Sequence, residues 1–250
     1  PRYSSSAASD VYKRQLLIRD NNLNAFAAPG GIIGVNAGLF KYADNEAQFA
    51  SVIAHELAHL SQRHFARQIL ENSDRSNASL ATVLASIVVA VATQAPAAVI
   101  GAQGLLASQR LRFSRLYETE ADREGFITLE NSGYDTSEMA EMFKNMQELR
   151  RLSGDTPPEF LLTHPVTTRR ITESRERARE NPQDGTVDSF NFRLIKNRVK
   201  YLMTDNLSIR AFEKEIGDTD DDKYFRALIE MKKLNFSKSI EILNRLEEKY

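Results

Sequence analysis

Hydrophobic and polar positions follow two different patterns in the first seventy residues. Residues 15–40 form short apolar runs separated by the turn-forming segments DNN and PGG. This pattern predicts short strands over QLLIRD, NLNAFAAPGG and IIGVNAGLF. From Asn45 onward, apolar residues recur at steps of three and four, which predicts a helix that continues through His64 to about Leu70.

The middle of the chain is long and uncharged. Residues 78–107 contain no Asp, Glu, Lys or Arg, and a run of this length raises the question of a membrane span. Pro96, Gly101 and Gly104 interrupt the run, and alanine dominates it. We therefore favour a pair of buried helices, with a membrane span as the alternative.

The second half of the chain reads as helices. The patterns predict helices over 109–131 and 136–152, with Gly133 as the stop signal between them. A loop with three prolines and the charged helix ITESRERARE follow, and then the linker NPQDGTVD. The final segment, YFRALIEMKKLNFSKSIEILNRLEEKY, predicts two amphipathic helices around a turn at KLNFS, and it resembles one tetratricopeptide repeat.

Charge and composition narrow the kinds of protein that this chain can be. The 33 basic and 34 acidic residues leave a net charge of −1, so we expect no nucleic-acid partner. There is no cysteine, which excludes disulfides, thiol catalysis and cysteine-bound metals. Any metal ion must therefore be held by histidine and carboxylate side chains, and the chain has 4 histidines.

Three of those histidines lie in one segment, SVIAHELAHLSQRH. His55 and His59 are four residues apart, so a helix presents both imidazoles on one face, where one zinc ion can bind both. Glu56 directly follows the first histidine, which is the HExxH arrangement with glutamate as general base. His64 would point roughly the opposite way on the same helix, and we interpret it as a surface or packing residue. The alternative is a helix with a few satisfied polar residues and no metal.

A catalytic zinc ion needs a third protein ligand. The metzincin pattern is excluded because Gln62 stands where that pattern requires glycine. The segment LYETEADREGF offers carboxylates on a second helix instead. Two pairs in it have helical i, i+4 spacing, so spacing alone does not choose between Glu118 with Asp122 and Glu120 with Glu124.

Taken together, these motifs resemble one known family. HELAH, followed further along the chain by ETEAD, resembles the HExxH…ExxxD signature of metallopeptidase family 48, a gluzincin family. NAFAAPGGIIGVNAGL resembles the strand segment that precedes the zinc helix in that family. LLTHP is similar to a segment of a periplasmic subgroup, the β-barrel assembly-enhancing proteases, which also carry tetratricopeptide repeats.

The resemblance implies roles for five residues. His55 and His59 are expected to bind one zinc ion per chain, and Glu56 to act as the base. The resemblance selects Glu118, the first acid of ExxxD, as the third ligand. Asp122 is then expected to brace a ligand histidine from behind.

The resemblance also implies roles for two residues beyond the second motif. His164, in LLTHP, is expected to occupy the fourth zinc position and hold the enzyme latent. On the residues alone, a loop histidine before a proline is equally an ordinary surface residue. Arg170 is expected to lie near the site and to help stabilise the transition state.

The resulting prediction is an α+β fold, mostly α-helical, with a small sheet. We expect residues 1–15 to be non-native or disordered, 16–182 to form a zinc metallopeptidase domain, and 189–250 to form a truncated tetratricopeptide-like region. The implied function is cleavage of misfolded or stalled envelope polypeptides in the periplasm of a Gram-negative bacterium. The helical tail is expected to contact the outer-membrane assembly machinery, and the protein to associate peripherally with a membrane.

Two alternatives stay open from the sequence. The chain could be a chaperone-like adaptor in outer-membrane protein assembly with latent protease activity. It could also be a membrane-embedded protease of the heat-shock type, for which the uncharged run at residues 78–107 is the discriminating feature.

Overall fold

The computed structural model combines one small β-sheet with a larger number of helices, as the patterns predict. It describes residues 14–71, 115–182, 184–205, 208–209, 212–213 and 216–249. The uncharged run at 78–107 and the first thirteen residues lie outside this part of the chain. Among the described helices, none combines the length and the apolar character that crossing a membrane requires.

The sheet has three strands in the order β1-β3-β2, with β1 parallel and β2 antiparallel to β3. The strands are β1 Arg14–Ile18, β2 Ala25–Ala28 and β3 Ile32–Asn36. All three predicted strands are therefore confirmed, although β1 takes in the last two residues of the segment set aside as non-native. The third strand ends at Asn36, and the rest of its predicted segment forms a turn at Ala37 and the start of a helix at Gly38.

Glycines occupy the turn between β2 and β3 and the position where a side chain lies against the backbone of this sheet. Gly30 and Gly31 form the β2–β3 turn with φ values of 85° and 76°, a region that L side chains rarely adopt. Gly34 lies opposite Phe26 in the antiparallel pair, and a Cβ there would meet the Phe26 ring at 2.3 Å. The aromatic side chain thus lies over the backbone of the neighbouring strand.

The helices occupy most of the remaining described residues. Their bounds are α1 Gly38–Tyr42, α2 Glu46–Ser61, α3 His64–Glu71, α4 Arg115–Asn131, α5 Ser137–Leu152, α6 Glu159–Thr163, α7 Thr168–Glu180, α8 Phe190–Met203, α9 Asp220–Lys232 and α10 Phe236–Glu247. The stop predicted at Gly133 is confirmed, with a left-handed φ of 77°.

The helix that carries HExxH is shorter than predicted. Asn45 is its N-cap, with a side chain that accepts a hydrogen bond from the Gln48 N–H, and the helix ends at Ser61. Arg63 then adopts a left-handed φ of 53°, and a new helix starts at His64. The prediction of one continuous helix to Leu70 is therefore wrong, because a single left-handed residue redirects the chain.

The two helices that carry the motifs, α2 and α4, pack closely. Gly125 of α4 permits this approach, since a Cβ there would lie 3.1 Å from the backbone nitrogen of His55. Apolar residues of α2, α4, α5 and the sheet form the core around this contact, among them Val52, Phe126 and Met142. The core thereby fixes the distance between the first and second motifs.

The C-terminal helices are joined to the first part of the chain by an aromatic cluster. The Phe192 ring of α8 lies 5.8 Å from the Phe40 ring and 5.5 Å from the Phe49 ring, measured between centroids. Helices α9 and α10 pack against each other around a turn at Leu234, which confirms the predicted helix pair. Its assignment as a tetratricopeptide-like unit stays a prediction.

Candidate metal centre

Helix α2 presents the three residues of the HExxH motif inside the protein. The side chains of His55, Glu56 and His59 are all buried. The Nε2 atoms of the two histidines lie 3.0 Å apart, as the i, i+4 spacing predicts for two side chains on one helix face.

Two further elements complete the cluster. Helix α4 carries Glu118, whose Oε2 lies 3.6 Å from His55 Nε2 and whose Oε1 lies 3.5 Å from His59 Nε2. The loop after α6 carries His164, whose Nδ1 lies 2.9 Å from Glu118 Oε1 and 3.4 Å from His55 Nε2. The structure thus brings together one donor atom from each of His55, His59, Glu118 and His164, all within 4.8 Å of one another.

These spacings fit a tetrahedral metal ion. A tetrahedron with metal–ligand bonds of about 2.0–2.1 Å has edges of about 3.3–3.4 Å. The donor-atom distances given above for five of the ligand pairs run from 2.9 Å to 3.6 Å, measured to Oε1 or to Oε2 of Glu118, and one donor atom from each of the four residues lies within 4.8 Å of the others. Imidazole nitrogen and carboxylate oxygen are also the donor types that zinc takes in cysteine-free sites. The residues present therefore fit the metal that the motifs imply.

Asp122 lies one helical turn beyond Glu118, behind His55. Its Oδ1 is 3.0 Å from His55 Nδ1, the nitrogen that faces away from the cluster. Arg170 of α7 donates two hydrogen bonds of 2.6 Å to the Asp122 carboxylate, and its Nη1 lies 2.9 Å from Glu118 Oε2. Both carboxylates are thereby held by one buried guanidinium.

The charges in this cluster set the protonation states of its members. Burial raises the pKa of the Glu118 carboxyl, but His164 and Arg170 outweigh that effect and hold the pKa well below its usual range. Burial lowers the pKa of His59 to about 2. Near pH 7 Glu118 is therefore ionised and His59 neutral, which are the forms that bind a metal ion.

Glu56 is surrounded differently. Burial raises the pKa of its carboxyl, while His164, His55 and the backbone of Ala27 oppose the rise. Among the described residues, neither carboxylate oxygen has a hydrogen-bond partner of normal geometry, and the nearest histidine contact is His164 Nε2 at 3.7 Å from Oε1. A buried carboxylate without partners is costly unless it faces a ligand or a reacting molecule.

His64 lies elsewhere than the sequence predicted. Because α2 ends before it, His64 turns back toward the cluster instead of pointing away, and its Nδ1 lies 2.8 Å from His59 Nδ1. Its other nitrogen, Nε2, lies 3.2 Å from Glu120 Oε2. Burial lowers the pKa of His64, which favours the neutral imidazole.

Glu120 also has a different partner from the one its spacing suggested. Its carboxylate accepts a 2.9 Å hydrogen bond from Arg67 of α3, while Glu124 contacts Arg123. The alternative pair of acids, Glu120 and Glu124, therefore lies outside the cluster of possible metal ligands. The hydrophobic pattern could not reveal the contact with α3, because α3 reaches Glu120 only through the chain reversal at Arg63.

Comparison with known proteins identifies the family behind this arrangement. Residues 3–178 match the profile of peptidase family M48, and this range contains every residue of the cluster. The chain belongs to peptidase family M48. Membership places it among the metal-dependent peptidases, in agreement with the His and Glu cluster.

Two bacterial relatives carry related names. The chain is 37% identical over 185 residues to the beta-barrel assembly-enhancing protease of Escherichia coli strain K12, covering 73% of this chain and 38% of that protein. It is also 37% identical over 241 residues to a Vibrio cholerae protein that carries the same name provisionally, covering 92% of this chain and 49% of that protein. The chain thus spans half or less of the length of these curated relatives.

A more distant relative comes from a mitochondrion. The mitochondrial metalloendopeptidase OMA1 of Arabidopsis thaliana is 33% identical over 155 residues, which is 62% of this chain and 29% of that protein. Bacterial and mitochondrial relatives are thus both named as peptidases, and only the bacterial names mention β-barrel assembly.

Proposed function

We propose that this chain is a zinc-dependent metalloendopeptidase that cleaves polypeptides in the bacterial envelope. The observation that carries the proposal is the convergence of His55, His59, Glu118 and His164, whose donor atoms lie within 4.8 Å of one another. Beside them lies Glu56, a buried carboxylate with no hydrogen-bond partner of normal geometry among the described residues. Family membership supports the same reaction class.

One zinc ion per chain suits this donor set. His55, His59 and Glu118 would hold the ion, and Asp122 would orient His55 through its outer nitrogen. When bound, zinc lowers the pKa of a coordinated water to about 7 and polarises a peptide carbonyl.

Glu56 acts as the general base in this proposal. It takes the proton from the attacking water and passes it to the nitrogen of the departing amine. The burial that raises its pKa suits both halves of this role, because the carboxyl group must first accept a proton and then release it.

Arg170 positions carboxylates in this proposal, in place of the transition-state role inferred from the sequence. Its guanidinium donates hydrogen bonds to Asp122 and to the carbonyl of Pro165, and it forms an ion pair with Glu118. A guanidinium engaged in this way fixes the orientation of Glu118, the proposed third ligand, and of Asp122 behind His55. Arg170 then contributes to catalysis by holding these two carboxylates, and it does not contact the substrate.

His164 keeps the site latent in this proposal. Its Nδ1 belongs to the same cluster as the three ligand residues, so it can take the fourth metal position that a catalytic site leaves for water. Activation then requires the loop after α6 to move His164 away.

The substrate adds as an extra strand beside β2. This strand lies at the edge of the described sheet, and pairing through backbone groups binds a polypeptide without demanding a particular sequence. A cavity of about 740 Å³ adjoins it, lined by residues that include Ala27, Pro29, Leu57 and His59. The cavity therefore connects the edge strand to the metal cluster.

The proposed setting is the periplasm of a Gram-negative bacterium, with misfolded or stalled envelope proteins as substrates. The names of the Escherichia coli and Vibrio cholerae relatives support this setting. Helices α8, α9 and α10 would provide the contact with the outer-membrane assembly machinery.

Metal analysis combined with casein cleavage tests the proposal. The full chain is expected to hold one zinc ion, to cleave casein when His164 is replaced by alanine, and to lose that activity with a zinc chelator. Zinc addition after removal of the chelator should restore it. A protein that holds no zinc, or one that holds zinc and cleaves no polypeptide in either form, contradicts the proposal.

A further inference from the structure

The two histidines of the HExxH motif differ in what holds their outer nitrogens. His55 Nδ1 faces the carboxylate of Asp122 at 3.0 Å with no residue between them, although the approach is oblique. His59 Nδ1 faces a second imidazole, that of His64, at 2.8 Å. Beyond that imidazole, His64 Nε2 lies 3.2 Å from Glu120 Oε2, although the approach is oblique.

We propose that His64 and Glu120 are positioning residues for His59, forming a relay from a carboxylate through one imidazole to another. The inference rests on the proposed zinc peptidase function. It adds that His59 receives, through His64, the kind of carboxylate support that His55 receives directly from Asp122.

The directions of the hydrogen bonds follow from the chemistry of the donors. If His59 binds the metal through Nε2, the proton of its neutral ring must lie on Nδ1. Only one proton fits between two nitrogens that are 2.8 Å apart, so His64 Nδ1 must accept it. The remaining proton of His64 then lies on Nε2, where Glu120, an acceptor, faces it.

The surroundings hold the relay in place. The His64 ring is fully buried and stacks on Tyr117, with 4.7 Å between ring centroids and 20° between ring planes. Arg67 donates a 2.9 Å hydrogen bond to Glu120 Oε2, the same oxygen that His64 faces. Each member therefore has a fixed orientation, and a single tautomer of His64 satisfies all of these contacts.

The relay also explains the break between α2 and α3. A continuous helix would carry His64 away from His59, because nine residues after His55 correspond to the opposite helix face. The left-handed Arg63 returns His64 to the cluster instead. A non-glycine residue in this conformation is strained, and the contact between the two imidazoles is a functional reason to retain it.

Zinc affinity of matched variants tests the inference. His64→Phe keeps the stacking ring and removes both nitrogens, so zinc affinity should fall by about 10- to 100-fold. His64→Asn keeps an acceptor at the position of Nδ1 and should recover most of that loss. Glu120→Gln should weaken binding less than His64→Phe, and the control Glu124→Gln should leave it unchanged.

A second readout separates positioning from packing. In nitrogen-15 spectra of the zinc-loaded full chain, His64 should be the Nε2–H tautomer and His59 the Nδ1–H tautomer. A packing role alone predicts neither assignment. If His64→Phe fails to fold, the His64→Asn and Glu120→Gln variants and these spectra decide.

Two results would overturn the relay while leaving the proposed function intact. One is zinc affinity within twofold of the parent in both His64→Phe and Glu120→Gln. The other is an Nδ1–H or doubly protonated His64 in the zinc-loaded protein. A parent chain that binds no zinc would overturn the proposed function, and the relay with it.

Discussion

Glu118 and Glu120 are two residues apart on α4, but they lie in different surroundings and contact different partners. Glu118 is buried among His55, His59 and His164, and Arg170 holds one of its oxygens. Glu120 lies on the outer side of His64, partly exposed, and is held by Arg67. Only Glu118 can reach a metal ion between the two motif histidines.

Replacing the acids of α4 should therefore give graded losses of zinc. Glu118→Ala should lose zinc and activity together, because it removes a ligand. Asp122→Ala should weaken zinc binding by about 10- to 100-fold, since it removes only the support of His55. Competition with a chromogenic chelator measures both. Zinc binding of parental strength in Glu118→Ala would contradict the ligand assignment.

Replacing His164 should raise the peptidase activity, whereas replacing Glu118 should abolish it. Because its Nδ1 lies with the three ligand residues, His164→Ala should free the fourth position and raise casein cleavage and self-cleavage. Leu162→Ala, at an exposed position of α6, is the matched control and should keep parental activity. Parental or lower activity in His164→Ala would return His164 to a structural role.

At this scale the sequence predicts the members of the buried cluster better than the residues that contact them from behind. His55 and His59 follow from helical spacing, and Glu118 and His164 from resemblance to the family. His64 and Glu120 were missed as partners, because their contact depends on the φ angle of Arg63. The pattern of apolar and polar residues does not predict that an arginine adopts a left-handed backbone conformation.

At the scale of elements, the distance between α2 and α4 controls the site. A methyl group added at Gly125 would lie 3.1 Å from the backbone nitrogen of His55 and 3.2 Å from the carbonyl carbon of Ala54. Both atoms belong to the backbone of a buried helix, so they cannot rotate away as a side chain would.

Gly125→Ala should consequently lower both the melting temperature and the zinc affinity. Alanine favours a helix by about 0.8–1 kcal/mol over glycine, but overpacking typically costs about 1–3 kcal/mol. Arg123→Ala, on the exposed side of α4, is the control and should leave zinc affinity unchanged. A higher melting temperature in Gly125→Ala would mean that helix propensity dominates and that the helices separate freely.

The elements themselves were predicted well where turn residues mark their ends. Pro29, Gly30 and Gly31 define the β2–β3 turn, and Gly133 ends α4. The third strand was predicted too long, because the apolar run continues into α1. A Cβ at Gly38 would meet the carbonyl oxygen of Asn22 at 2.3 Å, a long-range contact that apolar periodicity does not register.

At the scale of the whole molecule, α8 ties the C-terminal helices to the metallopeptidase part. Phe192 is buried between Phe40 of α1 and Phe49 of α2, and Phe49 belongs to the same helix as the motif histidines. Aromatic contacts thus connect the residues on either side of the linker predicted before α8. Composition marked the boundary, but the aromatic contact across it depends on tertiary packing.

Phe192→Ala should lower the free energy of unfolding by about 3–5 kcal/mol, the usual cost of truncating a buried phenylalanine. Zinc content should stay at the parental level, because no ligand is touched. Ile195→Ala, on the exposed side of the same helix, is the matched control and should cost far less. Equal losses in the two variants, measured by chemical denaturation, would mean that α8 is not docked on α1 and α2.

The central claim joins two functions in one helix: His55 and His59 hold the metal, and Glu56 moves the proton. Glu56→Gln separates them, because it preserves the shape of the side chain and removes its basicity. The direct measurement is zinc content and casein cleavage of this variant beside the parent, both in the His164→Ala background. The account predicts parental zinc with almost complete loss of cleavage. Loss of zinc together with activity, or cleavage at the parental rate, would contradict it.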